Sequence, residues 1–463
     1  MKQVKYDIVV IGSGIGGTTS AALLTKAGYK TLVVEKLPFA GGRCATLDYH
    51  GYKINTGLNT VTQECHGVLC REVGAEFEMR VTENEWVYRI KGKDYPQPKS
   101  GKGVLKTMIG HAARDDAELE RVMQAVKRGI GWAEPSYSMS LDEWLRHYTD
   151  NPAILGMFQN YVAAAGAIRN SELPAGEYFR MMKEIDASGR VWGHLPLGGG
   201  QLTDSLVKAI KMMGGEVWTR CPAVRIKVKD GVATGAAVRK DGEDIEIIAQ
   251  AVVSDAGAKR TVALVGKEHF PSGYLKDVAA IKGAPQTIIY FTHDRPLIEA
   301  NSVICLTEAR RVFMMSTNTN ICPERAPKGK HLSGAAAYLG SSLPPFDLKK
   351  EVELVLQDLR DNISGFEKYA KVLRINVNRG DWGLMKTWPG YTVPVKTPVV
   401  GLYTVGDDAG PLGWWCSPAA VQSGRAVVQD VVRRYKPLPE RLLRDPCLQL
   451  EALCALGFRQ YPW

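Results

Sequence analysis

Six residues near the start of the chain, Gly12-Ser13-Gly14-Ile15-Gly16-Gly17, have side chains mostly too small to hold a bound anion away from the backbone. Gly12 permits a tight turn, Gly14 clears the approach to a pyrophosphate, and Gly17 lets a following helix lie close on the preceding strand. About twenty residues further on, Glu35 offers a carboxylate that can accept hydrogen bonds from both hydroxyls of a ribose and would repel a 2′-phosphate. A pyrophosphate beside an unphosphorylated ribose belongs to an adenine dinucleotide, so cofactor binding comes before any other chemistry.

The elements that must position these groups are legible around them. Asp7-Ile-Val-Val-Ile-Gly12 is a continuous apolar run suited to a strand buried on both faces, and Leu32-Val-Val-Glu35 reads as a second. Between them Thr18 to Ala27 reads as a helix whose N-terminal N–H groups and positive dipole end favour an anion without a cationic side chain. Read alone, the same pattern also suits a doubly wound fold with an empty turn.

Composition bounds the rest. At 463 residues and 45% apolar content the chain implies two or three globular domains. Lys plus Arg exceed Asp plus Glu by 59 − 49 = 10, a surface that attracts anions such as lipid headgroups or acidic substrates. The basic residues are spread without a nucleic-acid motif, so no nucleic-acid partner is expected. Nine cysteines without a C-x-x-C pair argue against a disulfide framework and for a reducing compartment. Cys65, His66 and Cys70 lack the further ligand of a structural zinc site, and no metal is expected. A first strand close to Met1 leaves no room for a signal peptide, and no apolar run is long enough to span a bilayer, so the expected location is the cytoplasm.

Glu35-Lys36-Leu-Pro-Phe-Ala-Gly41-Gly42-Arg43 resembles the segment after the second strand in FAD enzymes of the amine oxidase and phytoene desaturase superfamily. Gly51-Tyr-Lys-Ile-Asn55-Thr-Gly57-Leu58-Asn59-Thr60 also resembles that superfamily, with Asn55 where members often carry Asp. The resemblance implies noncovalent FAD, with Ile15, Gly16, Lys36, Gly42, Gly57, Leu58 and Asn59 around it and Arg43 as a second cationic clamp on the pyrophosphate. It also implies that the strand containing Val224 lends backbone to the adenine end.

Farther along, Val104 to Arg190 is mostly helical, with Ser140-Leu-Asp-Glu143 as a capping box, and Leu202 to Met213 is an amphipathic helix stopped by Gly214-Gly215. Strands Glu216 to Arg220, Val224 to Lys229, Val232 to Val238 and Ile245 to Val253, joined by Asp-Gly turns, form a meander. Further strands, including Gln286 to Phe291 and Val312 to Ser316, precede a helix from Leu348 to Asp361. The expected fold is α/β: a discontinuous Rossmann-like FAD-binding domain (1–75, 190–265 and 395–437) with an inserted α+β substrate domain (76–189 and 266–394). A docked C-terminal tail (438–463) follows.

The closing motif, Gly401-Leu-Tyr-Thr-Val-Gly406-Asp407 through Trp414-Trp415-Cys416-Ser417-Pro418-Ala419 to Gly424, resembles that of the phytoene desaturase and carotenoid isomerase branch. Asp407 can accept a ribityl hydroxyl; Ser417 is the expected N-cap of a helix aimed at the flavin, with Ala419 beside it. Gly424 inside that helix permits close packing. Trp415 and Cys416 are the expected pocket-lining catalytic candidates, with packing as the alternative for both tryptophans. No Ser, His and Asp constellation suggests a hydrolase. The expected function is hydride transfer to or from flavin N5 on a largely apolar substrate, by desaturation, saturation or isomerisation. Two alternatives stay open: an amine oxidase acting at C–N, and a binding protein resembling the Rab GDP-dissociation inhibitors. The net charge adds an expected weak attraction to anionic membranes. Oligomeric state is not legible.

Overall fold

The computed structural model describes residues 2–82, 86–98, 104–132, 136–189 and 191–438. The expected tail lies outside the described residues beyond Leu438, as does residue 190, an expected domain boundary.

A five-stranded, wholly parallel sheet carries the glycine turn. Its strands are β1 (Ile8–Ile11), β2 (Thr31–Val34), β3 (Glu216–Trp218), β4 (Ala251–Ser254) and β5 (Leu402–Thr404), in the order β3-β2-β1-β4-β5. The four-residue strands β1, β2 and β4 are buried throughout, as continuous apolar runs require when both faces are covered. One face packs on helices α1 (Ile15–Lys26), α2 (Gly200–Met212) and α3 (Cys416–Arg434), through Leu23, Leu24, Leu206, Ile210, Val421 and Val428. The helix expected from Thr18 starts at Ile15, inside the glycine turn, with Gly14 in extended conformation at its N-cap.

The other face packs on a smaller sheet. The expected meander divides: Glu216–Trp218 joins the parallel sheet, and the run from Ile245 splits into Glu243–Ile248, in the small sheet, and β4. The turn at Ala249-Gln250 makes this break, after which the chain passes from antiparallel pairing to a parallel place beside β1. The small sheet is completed by Lys2–Lys5, paired parallel to Glu243–Ile248.

A seven-stranded mixed sheet forms the second half, in the order 371–378, 286–293, 331–338, 312–317, 303–306, 86–90, 93–96. Helices Val104–Ala112, Asp116–Ile130, Leu141–Arg146, Pro152–Gly166 and Ala175–Ser188 share a separate apolar core around Trp144, Phe158, Tyr178 and Phe179. Ser140 and Glu143 form the expected capping box. The helix expected over 348–361 is present as Leu348–Asn362.

Candidate active site

At the C-terminal end of β1 the chain reverses through Gly12 (φ +97°), whose N–H donates to Val34 O at 2.8 Å. A Cβ on Gly17 would lie 2.2 Å from Gly12 O, and one on Gly14 2.3 Å from an Asp255 carboxylate oxygen. The glycines therefore set two approaches: helix to strand, and helix N-terminus to Asp255 at the end of β4. Ser13, Gly14, Ile15 and Gly16 line one cavity, while Gly17 stands behind it as a packing residue.

The carboxyl group of Asp255 is pushed up to about 6, chiefly by burial and against the pull of Lys386, a backbone hydrogen bond from Gly17 and the charge of Arg43. Asp255 was not among the expected site residues. The available signal was its likeness to Glu35, since each acid ends a short buried parallel strand and ligands gather at such ends.

Glu35 is 5% exposed and lines the same cavity with Lys36. One of its oxygens accepts from Ser13 N (2.9 Å) and Ser13 Oγ (2.7 Å), the other from Leu37 N (2.8 Å). The oxygen that accepts from Leu37 keeps lone-pair capacity for a hydroxyl donor. Pro222 and Ala223 close this end. The side chain of Val224 is half exposed and outside the lining, because a register shift between Ala223 and Arg225 turns it out of the ladder.

Arg43 and Asp407 meet each other in the middle of the cavity. Nη2–Oδ1 is 2.6 Å and Nη1–Oδ2 3.0 Å, and Arg43 also donates to Gly383 O and Leu384 O. The pair holds the Asp407 carboxyl below its usual range despite burial, and Lys386 N adds a further donor at 2.9 Å. The neighbouring Asp408 is pushed the other way by burial, one oxygen accepting from Ala258 N at 2.7 Å. Gly383 to Lys386, which contributes to this lining, carries no motif and was missed.

Three consecutive residues open α3, each anchored to a different element. Trp415 is 4% exposed and donates Nε1–H to Glu177 at 3.0 Å; it sits in the helical core and does not line the cavity, which corrects its expected place. Cys416 (φ +52°) lines the cavity and donates Sγ–H to Ala165 O at 2.8 Å; burial pushes its thiol up, so it stays protonated. Ser417 lines the cavity and its Oγ lies 3.1 Å from Nε2 of His66. It is not the N-cap: the left-handed turn at Cys416 starts the helix earlier, so that Trp415 holds the cap position without a side-chain bond.

Two further expected contacts shift. Ala419 is fully buried against Gly410, and Ala420 lines the cavity in its place, one step around the helix. Gly57 and Leu58 line it, whereas Asn59 lies outside the lining and accepts from Asn55 Nδ2 at 2.8 Å. Gly406 and Gly42 line the wall, and a Cβ on Gly424 would lie 3.0 Å from Gly16 O, the close helix contact expected of it. Glu35, the start of α1, the Arg43–Asp407 pair and the apolar Leu58, Leu384 and Ala420 share one lining with the polar Gln286, Asn378 and Asp381, a set that matches the ribose, pyrophosphate, polyol and ring of a flavin dinucleotide.

Comparison with known proteins agrees. The family model for flavin-containing amine oxidoreductases matches residues 15–432. Human all-trans-retinol 13,14-reductase is 25% identical over 68% of this chain and 56% of its own length, so the match spans about half of that relative. The 15-cis-phytoene desaturase of Capsicum annuum is 21% identical over 95% of this chain and 80% of its own. Among solved structures, an oxidoreductase from Methanosarcina mazei superposes with a TM-score of 0.81 at 25% identity, covering 92% of this chain and all of that one. Putrescine oxidase bound to putrescine gives 0.65 at 18%, over 93% of this chain and 100% of its own, a likeness of fold alone. With the cofactor cavity, the parallel sheet and a family match running from the glycine turn through nearly all of α3, the chain is a flavin-dependent oxidoreductase belonging to the flavin-containing amine oxidoreductase family.

Proposed function

We propose that the chain binds FAD noncovalently and moves hydride between the flavin and a largely apolar substrate, saturating, desaturating or isomerising C–C bonds. The observation that carries this reading is one cavity lined together by Glu35, the start of α1, Asp407 and the apolar Leu58, Leu384 and Ala420. A bound flavin supplies N5, which takes up or returns the hydride. Glu35 would hold the ribose, the backbone at the start of α1 the pyrophosphate and Asp407 a ribityl hydroxyl, while Arg43 keeps that carboxylate ionised and in place. The thiols nearest the ring end support noncovalent attachment: burial pushes Cys44 up to about 12 and Cys416 higher still, so neither supplies a thiolate.

Leu58, Leu384 and Ala420 at the ring end support an apolar substrate, as do the retinol reductase and phytoene desaturase names of the relatives. A cytoplasmic enzyme without a nucleic-acid partner, drawn weakly to anionic membranes by its net charge of +10, completes the proposal. Among the described residues no helix is long and apolar enough to cross a membrane.

The test is spectroscopic. Purified protein should show a flavin absorption band that denaturation releases as free FAD. Anaerobic mixing with lipophilic alkenes, cyclic compounds and amines should bleach it with the first two, and reduced protein should be reoxidised by conjugated polyenes. Bleaching by amines alone would favour C–N oxidation. Glu35→Ala should weaken FAD binding about tenfold or more, since hydrogen bonds to a charged group contribute about 1.5–3 kcal/mol. Colourless protein that takes up no added FAD would sink the proposal.

A further inference from the structure

His66 is fully buried in the π-turn Gln63–Gly67, which follows the two-residue strand Val61–Thr62. Such turns are rare and recur at functional sites. Its Nδ1 lies 3.0 Å from the backbone nitrogen of Thr62, and its Nε2 lies 3.1 Å from Ser417 Oγ. A backbone N–H can only donate, so Nδ1 is the acceptor and the ring proton sits on Nε2. Nε2–H therefore donates to Ser417. The serine proton cannot point back at the imidazole, and the hydroxyl makes no other hydrogen bond among the described residues. Ser417 lines the cavity in the first turn of α3, held between Cys416 on the Ala165 carbonyl and a helix that packs on α1. The one direction left for its proton is the cavity.

We infer that His66 is a positioning residue that turns the Ser417 O–H into the cavity as a fixed donor to an acceptor atom of the flavin ring. The inference rests on the FAD reading of this cavity. Reduction adds negative charge to that ring, and a donor aimed in advance at developing charge favours the reduced form over the oxidised one. Without His66 the hydroxyl rotates freely and the preference falls. His66 acts through Ser417 and touches no reacting atom.

Redox titration of the FAD-loaded full chain tests this. Ser417→Ala should lower the midpoint potential by up to about 30 mV, the equivalent of a tenfold loss of preference for reduced flavin in a two-electron couple. His66→Phe should shift it in the same direction by no more than that. The double variant should shift no further than Ser417→Ala alone. An unchanged potential in Ser417→Ala overturns the inference, and so does a double variant whose shift is the sum of the two singles. Should His66→Phe fail to fold, His66→Gln serves: it keeps an N–H for Ser417 and should retain the wild-type potential, and a loss as large as that of Ser417→Ala counts against the mechanism. Failure of the FAD reading shows itself differently, as wild-type protein that takes up no FAD, and removes both.

Discussion

The parallel sheet with its glycine turn and the helical layer with its seven-stranded sheet are held in shape by different limits. Around β1, backbone approaches backbone: Gly17 on the Gly12 carbonyl, Gly16 on Gly406 N, Gly57 on the Arg43 carbonyl. In the helical layer, side chains fill volume: Trp132 and Trp144 meet the edge or face of Phe179 at 5.4 and 4.8 Å, and Tyr178 packs on Phe158 and Phe179. One approach of the first kind also occurs there, since a Cβ on Gly156 would lie 2.0 Å from Thr307 O. A cofactor with a fixed shape demands the first kind of limit, whereas an apolar layer can meet the second with many sequences.

The sharpest way to break this division is a matched pair of substitutions. Gly17→Ala and Gly156→Ala both force a methyl group into backbone, and each should cost more than about 3 kcal/mol, beyond the usual range for overpacking. Thermal unfolding should register both losses alike. FAD titration should separate them, with uptake abolished in Gly17→Ala and unchanged in whatever Gly156→Ala protein folds. If folded Gly156→Ala had also lost FAD, the two halves could not be treated as separate.

Asp255 gives the next effect, and pH sets its size. Its carboxyl is raised from 3.8 to about 6 in the folded chain, so the folded state keeps a proton that the unfolded chain has released. The stability this group contributes is fully present below about pH 4, falls as pH rises through about 6, and is level above that. Asp255→Asn removes the dependence. In cofactor-free protein the variant should unfold at a higher temperature than wild type above pH 6, by an amount equivalent to roughly 2–3 kcal/mol. The gap should close toward pH 4; a gap independent of pH would show that the carboxylate is not strained.

The glycine turn, Glu35, Arg43 and Asp407 were legible because each sits at a strand end or sharp turn where few residue types serve. Asp255 carried the same strand-end signal as Glu35, but Lys386, Glu177 and His66 were not legible, because their partners lie far away in sequence: Lys386 meets Asp255 O, Glu177 meets Gly413 N, and His66 meets Ser417. Nothing local marks a histidine that accepts from Thr62 beside its own turn and donates to a helix entered much later. The outward turn of the Val224 side chain and the shifts at Ala419 and Ser417 share one cause. A single-residue bulge or an early helix start rotates side chains to a new face, and the pattern of types along the chain does not encode that offset.

The smallest expected effect tests the seam between the halves. Trp415→Phe removes the indole donor from Glu177 and should cost about 1 kcal/mol of stability, leaving FAD affinity unchanged. A tenfold loss of affinity would mean that the helical layer, through Glu177, sets the geometry of the cofactor site as well as bordering it.

The order of the parallel sheet also fixes when the site can exist. β1, with the glycine turn, leaves the ribosome long before its neighbour β4, and β5 and α3 follow later still. At about 5–20 residues per second, roughly 20 to 80 seconds separate synthesis of the floor of the cavity from that of its far wall. During that interval the nascent chain displays an apolar strand with an unpaired edge and a phosphate cradle with nothing opposite. A flavin that fills this cavity would therefore be acquired late, after Ser417 has emerged, and a truncation anywhere before α3 would leave a conspicuous motif without its far wall.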